Sequence, residues 1–108
     1  MILVIGGAGS GKRDFVTRVL GYPPEAMTKG KLGETPVVYG LEEMNPLPSP
    51  EDCAQAAVVI CREVGCGVIP MDREERQHRE AVGRLCCELA RQAEAVYRIT
   101  CGLSMRLK

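Results

Sequence analysis

"MILVIGGAGSGKRD", residues 1–14, runs from an apolar stretch into a glycine-rich loop that closes on Gly11-Lys12. Ile2–Ile5 is a continuous apolar run bounded by glycines, the pattern of a parallel strand buried on both faces. Gly6-Gly7-Ala8-Gly9-Ser10-Gly11-Lys12 fits G-x-x-x-x-G-K, directly after that strand and directly before a helical pattern. The glycines let successive N–H groups turn inward onto phosphate oxygens, and the helix start adds positive potential. Lys12 then reaches the terminal phosphates. Residues 6–12 are candidate nucleotide-binding residues, and Lys12 is also a candidate catalytic one. The pattern breaks at the next position, where such loops carry a serine or threonine hydroxyl for magnesium. This chain has Arg13, which is acceptor-free and always charged. Arg13 either points away as a solvated helix residue or joins the binding residues by neutralising phosphate directly.

Outward from the loop, residues 11–20 read as a helix with Phe15, Val16, Val19 and Leu20 on one face, ended by Gly21 and Pro23-Pro24. "MTKGKLGET" (27–35) has little to bury and reads as a mobile loop. "PVVYG" (36–40) is a second short strand. "NPLPSPED" (45–52) is a proline-rich connection into a short helix, with Ser49 as N-cap, Pro50 at the first helical position and Asp52 completing a capping-box-like pattern. "AAVVIC" (56–61) is the next buried strand, and "REVGCGVIP" (62–70) leaves it as a loop. Asp72 caps the longest helix, whose Val82, Leu85, Cys86, Leu89 and Ala93 follow the 3.6-residue period, with Glu75–Arg79 and Glu80–Arg84 paired outside. "AVYRIT" (95–100) is a further strand, and "LSMRLK" (103–108) alternates like a strand with one wet face. Alternating strands and helices predict an α/β three-layer sandwich around a mainly parallel sheet of about 4–5 strands, in a single domain over residues 1–108.

Composition excludes several classes. The 108 residues carry 14 basic and 14 acidic side chains, so no global field draws the chain to nucleic acid or to anionic lipid. One phenylalanine, three tyrosines and no tryptophan leave no platform for stacking bases. The apolar start is too short for a signal peptide, and no apolar run approaches the roughly 20 residues that span a bilayer. The expectation is a cytoplasmic protein with no nucleic-acid or membrane partner. Six cysteines, at 53, 61, 66, 86, 87 and 101, form no C-x-x-C pair and suggest no metal set. Cys61 and Cys101 fall in strand segments, as reduced core thiols. Cys66, in a glycine-flanked loop, is the candidate for reactivity.

The other end of the chain, "CREVGCGVIPMDREERQHREAVGRLCCELARQAEAVYRITCGLSMRLK" (61–108), resembles the C-terminal part of a known family. This is the bifunctional adenosylcobinamide kinase/adenosylcobinamide-phosphate guanylyltransferase family of cobalamin biosynthesis. Glu63-Val64-Gly65, Gly67, Val68, Pro70, Gly102-Leu103 and Leu107-Lys108 stand in the family's order, and "GGAGSGK" matches its phosphate loop. The resemblance implies a P-loop NTPase-like fold, GTP or ATP as the nucleotide, a cobinamide-type corrinoid as partner, and kinase-type phosphoryl transfer. Glu63, after a central strand, becomes a candidate catalytic residue for positioning water, metal or the acceptor hydroxyl.

The chain also departs from that pattern. Its middle is shortened, and the family's guanylylated histidine has no counterpart, because the one histidine, His78, lies in "ERQHRE" and reads as solvated. If "VVYGLEEMN" (37–45) corresponds to the family's valine-aspartate-cysteine-leucine-threonine strand, Tyr39 occupies the aspartate position, with Glu42 and Glu43 close behind. Arg62 stands where the family has asparagine. Both protein contributions to a magnesium site are thus altered, which makes magnesium doubtful and guanylyl transfer not expected. Two classes of function stay open: a nucleotide-dependent kinase, and a non-catalytic nucleotide- or corrinoid-binding accessory protein. The alternative to both is a packing relic with Arg13 filling the phosphate site. An open sheet edge predicts a homo-oligomer.

Overall fold

The computed structural model describes residues 1–63 and 72–108. The elements follow as β1 (Ile2–Gly6), α1 (Lys12–Arg18), β2 (Met27–Lys29), β3 (Val37–Tyr39), α2 (Pro50–Cys53), β4 (Val58–Arg62), α3 (Arg73–Gln92), β5 (Ala95–Thr100) and β6 (Leu103–Arg106). Single 3-10 turns occupy Pro24–Ala26 and Leu41–Glu43. One sheet runs in the order β2-β3-β4-β1-β5-β6, parallel except for the β5–β6 hairpin. The α/β layering is as the alternation predicts. Most of the 62–70 loop, with Cys66, lies outside the described residues.

The central strands are apolar on both faces because helices cover both faces. Leu3, Val59, Cys61 and Val96 point toward α3, where Val82, Leu85 and Leu89 close one core. Val4, Val58, Ile60 and Ile99 point the other way, onto Phe15 and Val16 of α1. Burying an aliphatic side chain of this size contributes about 1.5–3 kcal/mol. The Phe15 and Tyr97 rings meet at 5.1 Å, which orients α1 across the sheet. Helix starts follow the sequence: Ser49 Oγ accepts the Asp52 N–H at 3.1 Å, and Asp72 Oδ1 accepts the Glu74 N–H at 2.8 Å.

Four expectations are corrected. The sheet has a sixth strand, because residues 27–29 are not loop but pair with Val37–Tyr39, and the Thr35 hydroxyl reaches Thr28 Oγ1 at 2.9 Å. Only tertiary pairing makes a strand of so short and polar a segment. The first helix ends at Arg18, so Val19 is 60% exposed rather than part of the buried face. Strand β6 forms, but both its faces are wet: Leu103 is 76% and Met105 63% exposed. Cys101 is an exposed turn residue with φ 51°, not a core thiol. Cys53 and Cys61 are buried as free thiols, and Cys86 Sγ lies 3.5 Å from Cys61 Sγ.

Candidate functional site

Parallel strands end on one side, so the C-terminal ends of β1, β3 and β4 lie at one edge of the sheet. Gly6 is the last residue of β1 and pairs with Arg62 on one flank and Ile99 on the other. The ladder continues one step further, as the Glu63 N–H donates to the Gly6 carbonyl at 2.8 Å. Gly9 and Gly11 adopt φ of 68° and 94°, the left-handed conformation that lets the loop double back into α1. The first bond of that helix runs from the Phe15 N–H to the Gly11 carbonyl, leaving the amides of Lys12, Arg13 and Asp14 as the free helix start. Gly7, Ala8 and Gly9 are exposed. Ser10 is tied from outside, its carbonyl accepting the Gly102 N–H at 2.8 Å from the β5–β6 turn. Its Oγ is buried and has no hydrogen-bond partner among the described residues.

Lys12 is half-buried, and its ammonium donates to the Gly7 carbonyl at 2.6 Å, inside the loop. Burial holds its pKa below the usual lysine value, and the Glu42 carboxylate partly opposes that shift. Arg13 is exposed but not free in solvent: its guanidinium lies 4.8 Å from the centre of the Tyr39 ring, at the end of β3. Neither reading of Arg13 from sequence included this contact. Glu63 is brought to the loop by its backbone, while its carboxylate pairs with Arg98 Nε at 3.2 Å.

Beside the loop is a cavity of about 370 Å³ lined by Lys12, Arg13, Lys29, Tyr39, Glu42 and Arg62, among others. This is within the range of small-molecule sites. Lys29 and Arg62 have no sequence signal for this role, because each arrives on a strand distant in sequence. Glu42 Oε1 accepts the Arg62 N–H at 2.8 Å, and Glu43 pairs with Lys29 Nζ at 3.1 Å. His78 is half-buried rather than solvated: its Nε2 stands 2.5 Å from the Glu42 carbonyl, so that nitrogen carries the proton and donates. The histidine ties α3 to the turn that carries Glu42. A larger hollow of about 500 Å³, lined by Leu32, Thr35, Pro36, Asp52 and Gln55 among others, shares no residue with the loop and has no basic side chain in its wall. Among the described residues no group of three or more His, Cys, Asp or Glu is placed to hold a metal ion, and no helix is long and apolar enough to cross a membrane.

A family model described as cobinamide kinase / cobinamide phosphate guanyltransferase matches residues 42–107. The matched stretch takes in Arg62, Glu63 and His78 but begins after the glycine loop. Two curated proteins, each a bifunctional adenosylcobalamin biosynthesis protein CobU, are 32% identical over 56 residues. They come from Salmonella typhimurium strain LT2 and Escherichia coli strain K12. The similarity covers 52% of this chain and 31% of each relative, so the chain matches about a third of their length.

Proposed function

The chain belongs to the cobinamide kinase / cobinamide phosphate guanyltransferase family, and from that premise we propose that it binds a purine nucleoside triphosphate, GTP or ATP, at residues 6–13. The observation that carries this reading is the loop itself: a strand, left-handed glycines, and a half-buried Lys12 whose ammonium is held at the Gly7 carbonyl. Loop amides and the Lys12 ammonium are the donors a phosphate chain needs, and the adjacent cavity adds Arg13, Lys29 and Arg62. In a kinase-type reaction, the terminal phosphoryl passes to an acceptor hydroxyl and leaves the nucleoside diphosphate. Lys12 stabilises the transferred charge, and Glu63, joined to the loop through its N–H on the Gly6 carbonyl, is the candidate for positioning the acceptor. A cobinamide-type corrinoid is the acceptor class the family suggests. His78 is not a carrier of a guanylyl group in this reading, since its Nε2–H is committed to the Glu42 carbonyl.

A second reading, nucleotide binding without turnover in an accessory role, is favoured by the Glu63–Arg98 pair, which occupies a carboxylate that a catalyst would need free. Thermal unfolding with GTP, ATP or neither, beside Lys12→Ala, tests the shared premise. A nucleotide at about 100 times its dissociation constant stabilises by roughly 2.7 kcal/mol, on the order of 10 °C for a domain of this size. A shift abolished by Lys12→Ala supports the reading, and no shift with either nucleotide refutes it. Release of nucleoside diphosphate in the presence of cobinamide then separates the kinase from the accessory protein.

A further inference from the structure

Phosphate-loop proteins hold magnesium with a hydroxyl directly after the loop lysine and with a carboxylate from a second strand. In this chain the first position is Arg13, and the strand beside the cavity ends in Tyr39. The two side chains touch, the guanidinium standing over the ring at 4.8 Å. A cation within about 6 Å of a ring centre is attracted to its face. The two departures are therefore one feature. An aspartate at 39 would pair with Arg13 and cancel its charge, whereas the ring supports the guanidinium and leaves its charge and N–H fork available.

The remaining acids of the cavity do not rebuild a metal site. Asp14 is bonded to Arg18 at 2.6 Å, Glu42 accepts the Arg62 amide, and Glu43 pairs with Lys29. The donor chemistry does not fit magnesium. It fits the anion that magnesium would otherwise accompany.

We infer that the loop binds polyphosphate without a divalent cation, with Arg13, braced on Tyr39, as the built-in counter-charge. The inference rests on the nucleotide-binding reading above and specifies how that site is neutralised. Lys12 and Arg13 are the first two residues of α1 and both line the cavity beside the loop, so a triphosphate lying there meets both. Metal-free triphosphate carries the full charge that magnesium would offset, and it is the form this cavity prefers.

Calorimetric titration with GTP and with ATP, in buffer with EDTA and in buffer with magnesium, tests this on wild type, Arg13→Ala, Tyr39→Ala and the double variant Arg13→Ser/Tyr39→Asp. Arg13 is exposed and Tyr39 half-buried, and thermal unfolding of each unliganded variant checks that it is folded. Wild type is expected to bind at least as tightly in EDTA as in magnesium. Loss of a charge-assisted contact predicts that Arg13→Ala weakens metal-free binding about tenfold or more. Tyr39→Ala weakens it less, and the double variant binds only with magnesium. Wild-type binding that requires magnesium overturns the inference and leaves nucleotide binding standing. Metal-free binding that Arg13→Ala does not weaken overturns the role of Arg13. No binding in either buffer removes the nucleotide reading, and this inference with it.

Discussion

Gly6→Ala is the sharpest test of how the glycine loop is built. A Cβ on Gly6 would stand 2.5 Å from the Ile99 carbonyl oxygen and 2.6 Å from Ser10 Oγ, about 1 Å inside ordinary contact. The serine hydroxyl can rotate away. The Ile99 carbonyl cannot, because Ile99 is paired in register with Gly6 and withdrawing it opens the end of the β1–β5 ladder. Forcing a methyl into such a place costs about 1–3 kcal/mol. The stiffer unfolded chain offsets about 0.4–1 kcal/mol of that, so the net loss is on the order of 0–2.5 kcal/mol, or up to roughly 10 °C in Tm. Gly7→Ala is the control. Its Cβ meets nothing within 4 Å, so the change should be neutral or stabilising by up to about 1 kcal/mol. Urea and thermal unfolding of both variants give the comparison, with an unchanged m-value showing that the surface exposed on unfolding is the same. If Gly6→Ala unfolds at or above Gly7→Ala, the strand–loop junction is not packed as described.

Other expectations follow from the same geometry. Asp72→Ala removes the cap of a twenty-residue helix and should cost about 1 kcal/mol, read as a lower urea midpoint. Burial pushes the Cys53 thiol up to about 11, whereas the hydrogen bond shared with Cys61 favours the thiolate of half-buried Cys86 and lowers its pKa. Alkylation followed by mass spectrometry across a pH series should therefore label Cys86 at lower pH than Cys53, and the reverse order would contradict the pairing. Lys12, lowered by burial, loses its charge before an ordinary lysine as pH rises. Nucleotide affinity should accordingly fall below pH 10.5, the ordinary lysine value. Stability moves the opposite way in that window, because the unfolded chain binds the extra proton there, so unfolding resistance contributed by this group rises with pH.

Much of the fold was legible because local and tertiary preferences agree. Ile2–Ile5 and Ala95–Thr100 read as strands from apolar runs and β-branched content, and Ser49 and Asp72 announce their helices by capping chemistry that needs no distant partner. Residues 27–29 were illegible for the opposite reason: their strand exists only through pairing with 37–39. Strand β6 shows the limit of periodicity, since alternation predicts a strand but not whether a second layer covers its apolar side. At the loop, the spacing of glycines and lysine in residues 6–12 was enough to read a tight turn from strand to helix. The positions of Arg13 and Tyr39 were each conspicuous alone, but their contact depends on β3 and the start of α1 lying side by side. The same holds for His78, whose carbonyl partner is 36 residues away in the chain.

The bond from the Gly102 amide to the Ser10 carbonyl has a consequence for timing. One anchor of the glycine loop comes from the hairpin turn roughly 90 residues later in the chain, about 5–18 s at ordinary rates of synthesis. During that interval the strand Ile2–Gly6 waits as well, first for Val58–Arg62 and then for Ala95–Thr100. The nascent chain thus carries an apolar strand with an incomplete ladder until nearly all of the described fold has emerged. Such long-range closure is slow and leaves that strand open to pairing elsewhere. The glycine loop is thus made well before the hairpin turn that completes its anchoring.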